Sequence, residues 1–102
     1  VTSPLPDQVE MTDDAENDLA SHLAYLEAHN PMAALQFLDR VNHTLTLLAS
    51  VSPRLDGAAT HLKNGRRCRR MPSLPAVILY TRRPGVLVVL RVYHHARQPI
   101  TR

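Results

Sequence analysis

Val86-Leu87-Val88-Val89-Leu90-Arg91-Val92-Tyr93-His94-His95-Ala96-Arg97 follows directly on Pro84-Gly85 and opens as an unbroken apolar run. Its β-branched content and short length predict a strand rather than a helix. Strict alternation puts Val86, Val88, Leu90 and Val92 on one face, and Leu87, Val89, Arg91, Tyr93 and His95 on the other. The first face is apolar throughout. The second turns from apolar to guanidinium, phenol and imidazole. Such a strand belongs inside a sheet, with one face covered along its whole length and the other open near its end. The open end is where function is expected.

Working outward, Ala76-Val77-Ile78-Leu79-Tyr80-Thr81-Arg82 is a second strand, and Arg83-Pro84-Gly85-Val86 supplies the turn of a β-hairpin. Before it, Arg66-Arg67-Cys68-Arg69-Arg70-Met71, ended by Pro72, can pair as a further strand. Alternation sets Arg66, Cys68 and Arg70 on one face and Arg67, Arg69 and Met71 on the other. Residues 53–65, with Pro53, Gly57 and Gly65, read as a loop.

The first half is helical. Ala15, Leu19, Leu23 and Leu26 recur at helical spacing between about Asp13 and His29. Thr12 or Asp13 offers an N-cap, Asp13 and Glu16 have capping-box spacing, and acids crowd the first turn. Asn30-Pro31 ends this helix and starts another, with Asn30 as cap and Pro31 at the first position. The second helix runs to about Val51 and turns Ala34, Phe37 (or Leu38), Val41, Leu45 and Leu48 inward. So short a link makes an antiparallel helical hairpin. Gln8–Met11 reads as a short strand and residues 1–7 as a flexible leader. The expected architecture is therefore α+β: one domain over 1–102, with the hairpin packed on a small antiparallel sheet in the order β-α-α-β-β-β.

The 102 residues and 44% hydrophobic content suffice for a core. One cysteine, Cys68, excludes an internal disulfide framework and suits a reducing compartment. Neither a secretory leader nor a membrane-length apolar run is present, so a cytoplasmic protein without a membrane partner is expected. Charge is sharply divided. Residues 1–53 hold eight acids against Arg40, a balance of −7, whereas 54–102 hold eleven bases against Asp56, a balance of +10. That segregation points to an anionic partner.

Four arginines in five residues exceed what protects an edge strand from aggregation, and arginine grips phosphate or carboxylate bidentately. Metal binding is not expected. His94 and His95 point to opposite faces of a strand, His22 and His29 stand two helical turns apart, and Cys68 has no cysteine nearby. Acid–base chemistry on RNA could draw on Tyr93, His94 or His95, Arg91, and Arg70 or Arg82. No Gly-rich phosphate loop or nucleophile elbow is found.

The order of these elements and several segments resemble the RelE/ParE superfamily of bacterial type II toxin–antitoxin systems, most closely its ParE branch. The segments are Thr12-Asp13-Asp14-Ala15-Glu16-Asn17-Asp18-Leu19, Asn30-Pro31-Met32-Ala33-Ala34 with Phe37-Leu38, Arg69-Arg70-Met71-Pro72, Ile78-Leu79-Tyr80-Thr81-Arg82 and Val89–Arg97. The resemblance implies a growth-arresting toxin that inhibits DNA gyrase, uses no cofactor and is neutralised by a ParD-like antitoxin through an acidic C-terminal segment. Arg69, Arg70, Arg82, Arg91, Tyr93, His94 and Arg97 are then contacts for target or antitoxin rather than catalysts. The alternative is a RelE-like, metal-independent endoribonuclease acting on mRNA at the ribosome through Arg70, Arg91, Tyr93 and His94. A second alternative is a non-toxic nucleic-acid-binding module. Departures from the family pattern are Asp13 in place of proline, His95 after the histidine, and Ser73-Leu74-Pro75-Ala76 in place of an aromatic stretch. Lys63 is the sole lysine, so no lysine-rich helix of the RNA-cleaving kind is available.

Overall fold

The computed structural model describes residues 8–50, 56–73 and 75–94. The elements are β1 (Gln8–Met11), α1 (Asp13–His29), α2 (Pro31–Ser50), β2 (Ala58–His61), β3 (Arg67–Ser73), β4 (Ala76–Arg83) and β5 (Val86–His94). The expected order holds, with β2 as an additional short strand inside the stretch read as a loop. Ala58-Ala59-Thr60-His61 has no apolar alternation to announce it. It is a strand because β3 offers it antiparallel partners, Ala58 opposite Arg70 and His61 opposite Arg67.

The five strands lie in the order β1-β5-β4-β3-β2, all antiparallel neighbours except the parallel pair β1–β5. Parallel pairing is possible there because the helical hairpin and three strands separate β1 from β5 in sequence. Arg83 pairs with Val86 across a two-residue turn in which Gly85 takes φ 74°, so proline followed by glycine gives the type II pattern. β3 runs on through Pro72 to Ser73 instead of stopping at the proline. Beyond Arg70 it has no β2 partner, so the missing N–H faces an unpaired edge and costs no ladder bond.

Thr12 is the N-cap of α1: its hydroxyl accepts from the Ala15 N–H at 3.1 Å and donates to the Leu90 carbonyl at 2.9 Å. Asn30 caps α2 through Oδ1, which accepts from the Ala33 N–H at 3.3 Å. Ala34, Phe37, Val41, Leu45 and Leu48 of α2 are buried, as their spacing requires. Phe37, Val41, Leu45 and Leu48, with Ala15, close on Ala76, Ile78, Tyr80, Leu87, Val89 and Val92 of the sheet. Leu19, Leu23 and Leu26 pack against this cluster only partly buried, while His22 is buried among them.

The opposite face of the sheet carries its own buried cluster of Cys68, Val77, Leu79, Val88, Leu90 and Tyr93, with Leu62 packed against it. Strict alternation along β5 therefore fails. Leu87, Val89 and Val92 face the helices, whereas Val88, Leu90 and Tyr93 face away. The cause is a β-bulge. Tyr80 pairs with Val89 but Leu79 pairs with Arg91, so Leu90 is an extra residue and every later side chain changes face.

Candidate functional site

Because β1 ends opposite Val89, the outer edge of β5 beyond that point has no strand to pair with. The first turns of α1 take its place. Thr12 N–H donates to the Val89 carbonyl at 3.0 Å, the Thr12 hydroxyl reaches Leu90, and the Val92 N–H donates to Asp18 Oδ2 at 3.1 Å. Arg91, displaced by the bulge, donates from Nε to Asp18 Oδ2 at 2.7 Å and from Nη2 to Oδ1 at 2.9 Å. Those hydrogen bonds hold the Arg91 pKa above its ordinary value, against a desolvation that lowers it.

A second ionic centre surrounds Asp56, whose side chain is 8% exposed. Arg82 donates to it from Nε at 2.9 Å and Nη2 at 2.7 Å, and Nη2 also reaches the Leu48 carbonyl at 2.8 Å. The Tyr80 hydroxyl donates to Asp56 Oδ1 at 3.0 Å and accepts from the Gly57 N–H at 2.8 Å. Arg69 bonds the Gly57 carbonyl and approaches Asp56 at 3.9 Å. Burial raises the Asp56 pKa, but the Arg82 and Tyr80 hydrogen bonds and the charges of Arg82 and Arg69 outweigh it and leave the carboxyl below its ordinary range. Burial likewise raises the Tyr80 hydroxyl. Gly57 is required here, since a Cβ at this position would lie 1.9 Å from the Arg70 carbonyl oxygen.

The arginines singled out in the sequence thus divide. Arg82 and Arg91 are bound to internal carboxylates, Arg69 is half-committed with its side chain 49% exposed, and Arg70 is exposed on β3. Arg97 and His95 lie outside the described residues. Tyr93 is buried with Leu79 and Leu90 on the face away from the helices. His94 is on the opposite face, with its ring centroid 6.5 Å from Phe37 and 6.4 Å from His22. Arg70, Arg91, Tyr93 and His94 are accordingly not brought to one point.

Arg66 and Arg67, which the reading of single sites passed over, are exposed beside Arg70. Arg66 shares a groove of about 300 Å³ with Lys63, Asn64 and Leu62 on one wall, and Thr12, Asp14, Leu90 and Arg91 on the other. The groove brings residues of the β2–β3 turn together with β5 and the start of α1. The signal for these free bases was available: Asp56 is the one acid after residue 53, so a single carboxylate centre leaves most of the nearby bases unpaired. Burial raises the Cys68 thiol's pKa between them, partly offset by the Arg66 charge. Among the described residues no group of three or more His, Cys, Asp or Glu side chains could hold a metal ion, and no helix is long and apolar enough to cross a membrane.

Comparison with known proteins fits this architecture. Residues 9–99 match the family described as the ParE toxin of the type II toxin–antitoxin system parDE. Among curated proteins, none matches the chain in sequence. Among solved structures, a chain of the chromosomal ParDE toxin–antitoxin system from P. aeruginosa is similar in fold. It superposes with a TM-score of 0.67 at 15% identity, over 86% of this chain and 95% of that one. With the family matched from within β1 to beyond the end of β5, the chain belongs to the ParE family of type II toxin–antitoxin toxins.

Proposed function

We propose that this ParE-type toxin arrests growth by binding and inhibiting DNA gyrase, and that a cognate antitoxin neutralises it by laying an acidic segment against the bases of β3. The observation carrying this reading is the separation of Tyr93 from His94. Neighbouring residues on β5 face opposite sides of the sheet, one inside an apolar cluster and the other against Phe37 and His22. A proton donor and acceptor for RNA cleavage must converge on one ribose-phosphate, and this arrangement does not favour it. Contact chemistry is better supplied. Arg66, Arg67 and Arg70 are exposed, and guanidinium groups pair bidentately with carboxylates. Such an antitoxin, disordered when free, would gain its order on binding. Membership of a toxin–antitoxin family supports a location where gyrase is found, in the cytoplasm.

The test is a supercoiling assay with purified gyrase beside a reconstituted translation reaction. Loss of supercoiling on adding the chain, reversed by the product of an adjacent acidic-tailed reading frame, supports the proposal. Ribosome-dependent mRNA cleavage with gyrase unaffected overturns it.

A further inference from the structure

The arginines of this protein fall into two populations. Those elsewhere on the sheet are matched to acids: Arg82 with Asp56, Arg83 with Glu10 and Arg91 with Asp18. On the β2–β3 hairpin, Lys63, Arg66, Arg67 and Arg70 are all exposed and make no ion pair among the described residues. No acid lies between Gly57 and the C-terminal Arg102 to neutralise them. Four cations without an ion pair on one sixteen-residue hairpin would repel one another in a free surface, and Asp14, across the groove from Lys63 and Arg66, offsets only part of that charge.

Their placement has a shape. β2 is the outermost strand, and Ala58 and Ala59 on it are exposed. The bases stand one strand further in, on both faces: Arg66 and Arg70 on the side of Cys68, Arg67 on the opposite side. We infer that the β2–β3 hairpin is a nucleic-acid-binding edge, entering the major groove of duplex DNA edge-on with β2 leading. The small side chains of Ala58 and Ala59, one on each face, keep the leading strand thin, so that its edge can approach the groove floor. Bases on both faces then reach the phosphates of both walls. The B-form major groove, about 12 Å wide, admits a two-stranded ribbon. The deep, narrow major groove of duplex RNA does not. An acidic segment such as the antitoxin's can take the bases of one face, whereas a duplex, with phosphates on both walls of its groove, takes the bases of both faces at once. Arginine and lysine contacts to phosphate position a protein without reading sequence, so binding to backbone and groove shape is expected. This inference does not rest on gyrase being the target.

The experiment uses the full chain made by cell-free synthesis and a fluorescein-labelled 20-base-pair DNA duplex read by anisotropy. Binding is expected with a slope of log K against log salt of about −3 to −4, corresponding to about four phosphate contacts. Arg66→Glu, Arg67→Glu and Arg70→Glu combined should weaken binding more than about tenfold at fixed low salt. These residues lie on the surface, and a thermal melt verifies that the triple variant is folded. Should it unfold, the milder pair Arg67→Ala and Arg70→Ala carries the same test. Arg83→Gln, near β1 and paired with Glu10 away from the hairpin, should bind as the parent does. Absence of DNA binding at low salt overturns the proposal, as does equal loss in Arg83→Gln or equal affinity for a duplex RNA of the same sequence. Binding of poly-glutamate without DNA binding also overturns it. Gyrase inhibition is scored separately, so failure here leaves that reading to its own assay.

Discussion

Asp18 on α1 and Arg91 on β5, 73 residues apart in sequence, meet through two parallel hydrogen bonds of 2.7 and 2.9 Å, and the same carboxylate receives the Val92 N–H. One acid therefore closes the strand edge that β1 is too short to cover. Asp18→Ala would leave a guanidinium and a backbone N–H without their acceptor. A loss of about 1–3 kcal/mol in unfolding free energy is expected from urea titration at neutral pH. An unchanged urea midpoint would mean that water replaces the carboxylate without cost.

The Asp56 centre predicts an acid-dependent weakness. Its carboxyl pKa is lower in the folded chain than in the unfolded one, despite the burial that opposes this. The unfolded state therefore binds more protons at mildly acidic pH, and stability rises with pH in that window. The contribution is fully present above the ordinary carboxylate range of about 4 and is lost as pH falls through the lowered folded value. Asp56→Asn should flatten this part of the stability–pH curve, measured by urea midpoints between pH 7 and pH 3. A variant curve as steep as the parent's would assign the acid sensitivity to other groups.

Gly57 sits where backbone meets backbone, so Gly57→Ala forces β2 away from the Arg70 carbonyl. A cost of about 1–3 kcal/mol is expected, as for other overpacked sites. It should be accompanied by faster amide exchange in β2 and at Arg69, whose guanidinium bonds the Gly57 carbonyl. Tyr80→Phe should cost about 1–2 kcal/mol through the loss of two hydrogen bonds, those to Asp56 and from the Gly57 N–H.

Tyr93→Phe removes only the hydroxyl of a ring packed in an apolar cluster. Growth arrest by the variant should match that of the parent chain within about twofold, an energy difference well below 1 kcal/mol. Loss of toxicity from a variant that still folds and still binds antitoxin would give the phenol a chemical role and favour the endoribonuclease alternative.

Local chemistry, legible in the residues themselves, determined most of the secondary structure. A helical stripe, a capping threonine, Asn30-Pro31 and Pro84-Gly85 act within a few residues, and their elements start and end where expected. The basic strand was legible in the same way, as was the excess of cations over acids in the second half. Three features were decided only by the tertiary structure, each because it depends on residues far apart in the chain. β2 exists through pairing with β3, since its own sequence has no strand pattern. The bulge at Leu90 arises in the β4–β5 register and exchanges the faces of Val92 and Tyr93. Which arginines remain free was settled by Asp18 and Asp56, carboxylates that only folding brings to Arg91 and Arg82. Side-chain type fixes what a residue can do locally, but the pairing of charges across the sheet decides which of them are left to meet a partner.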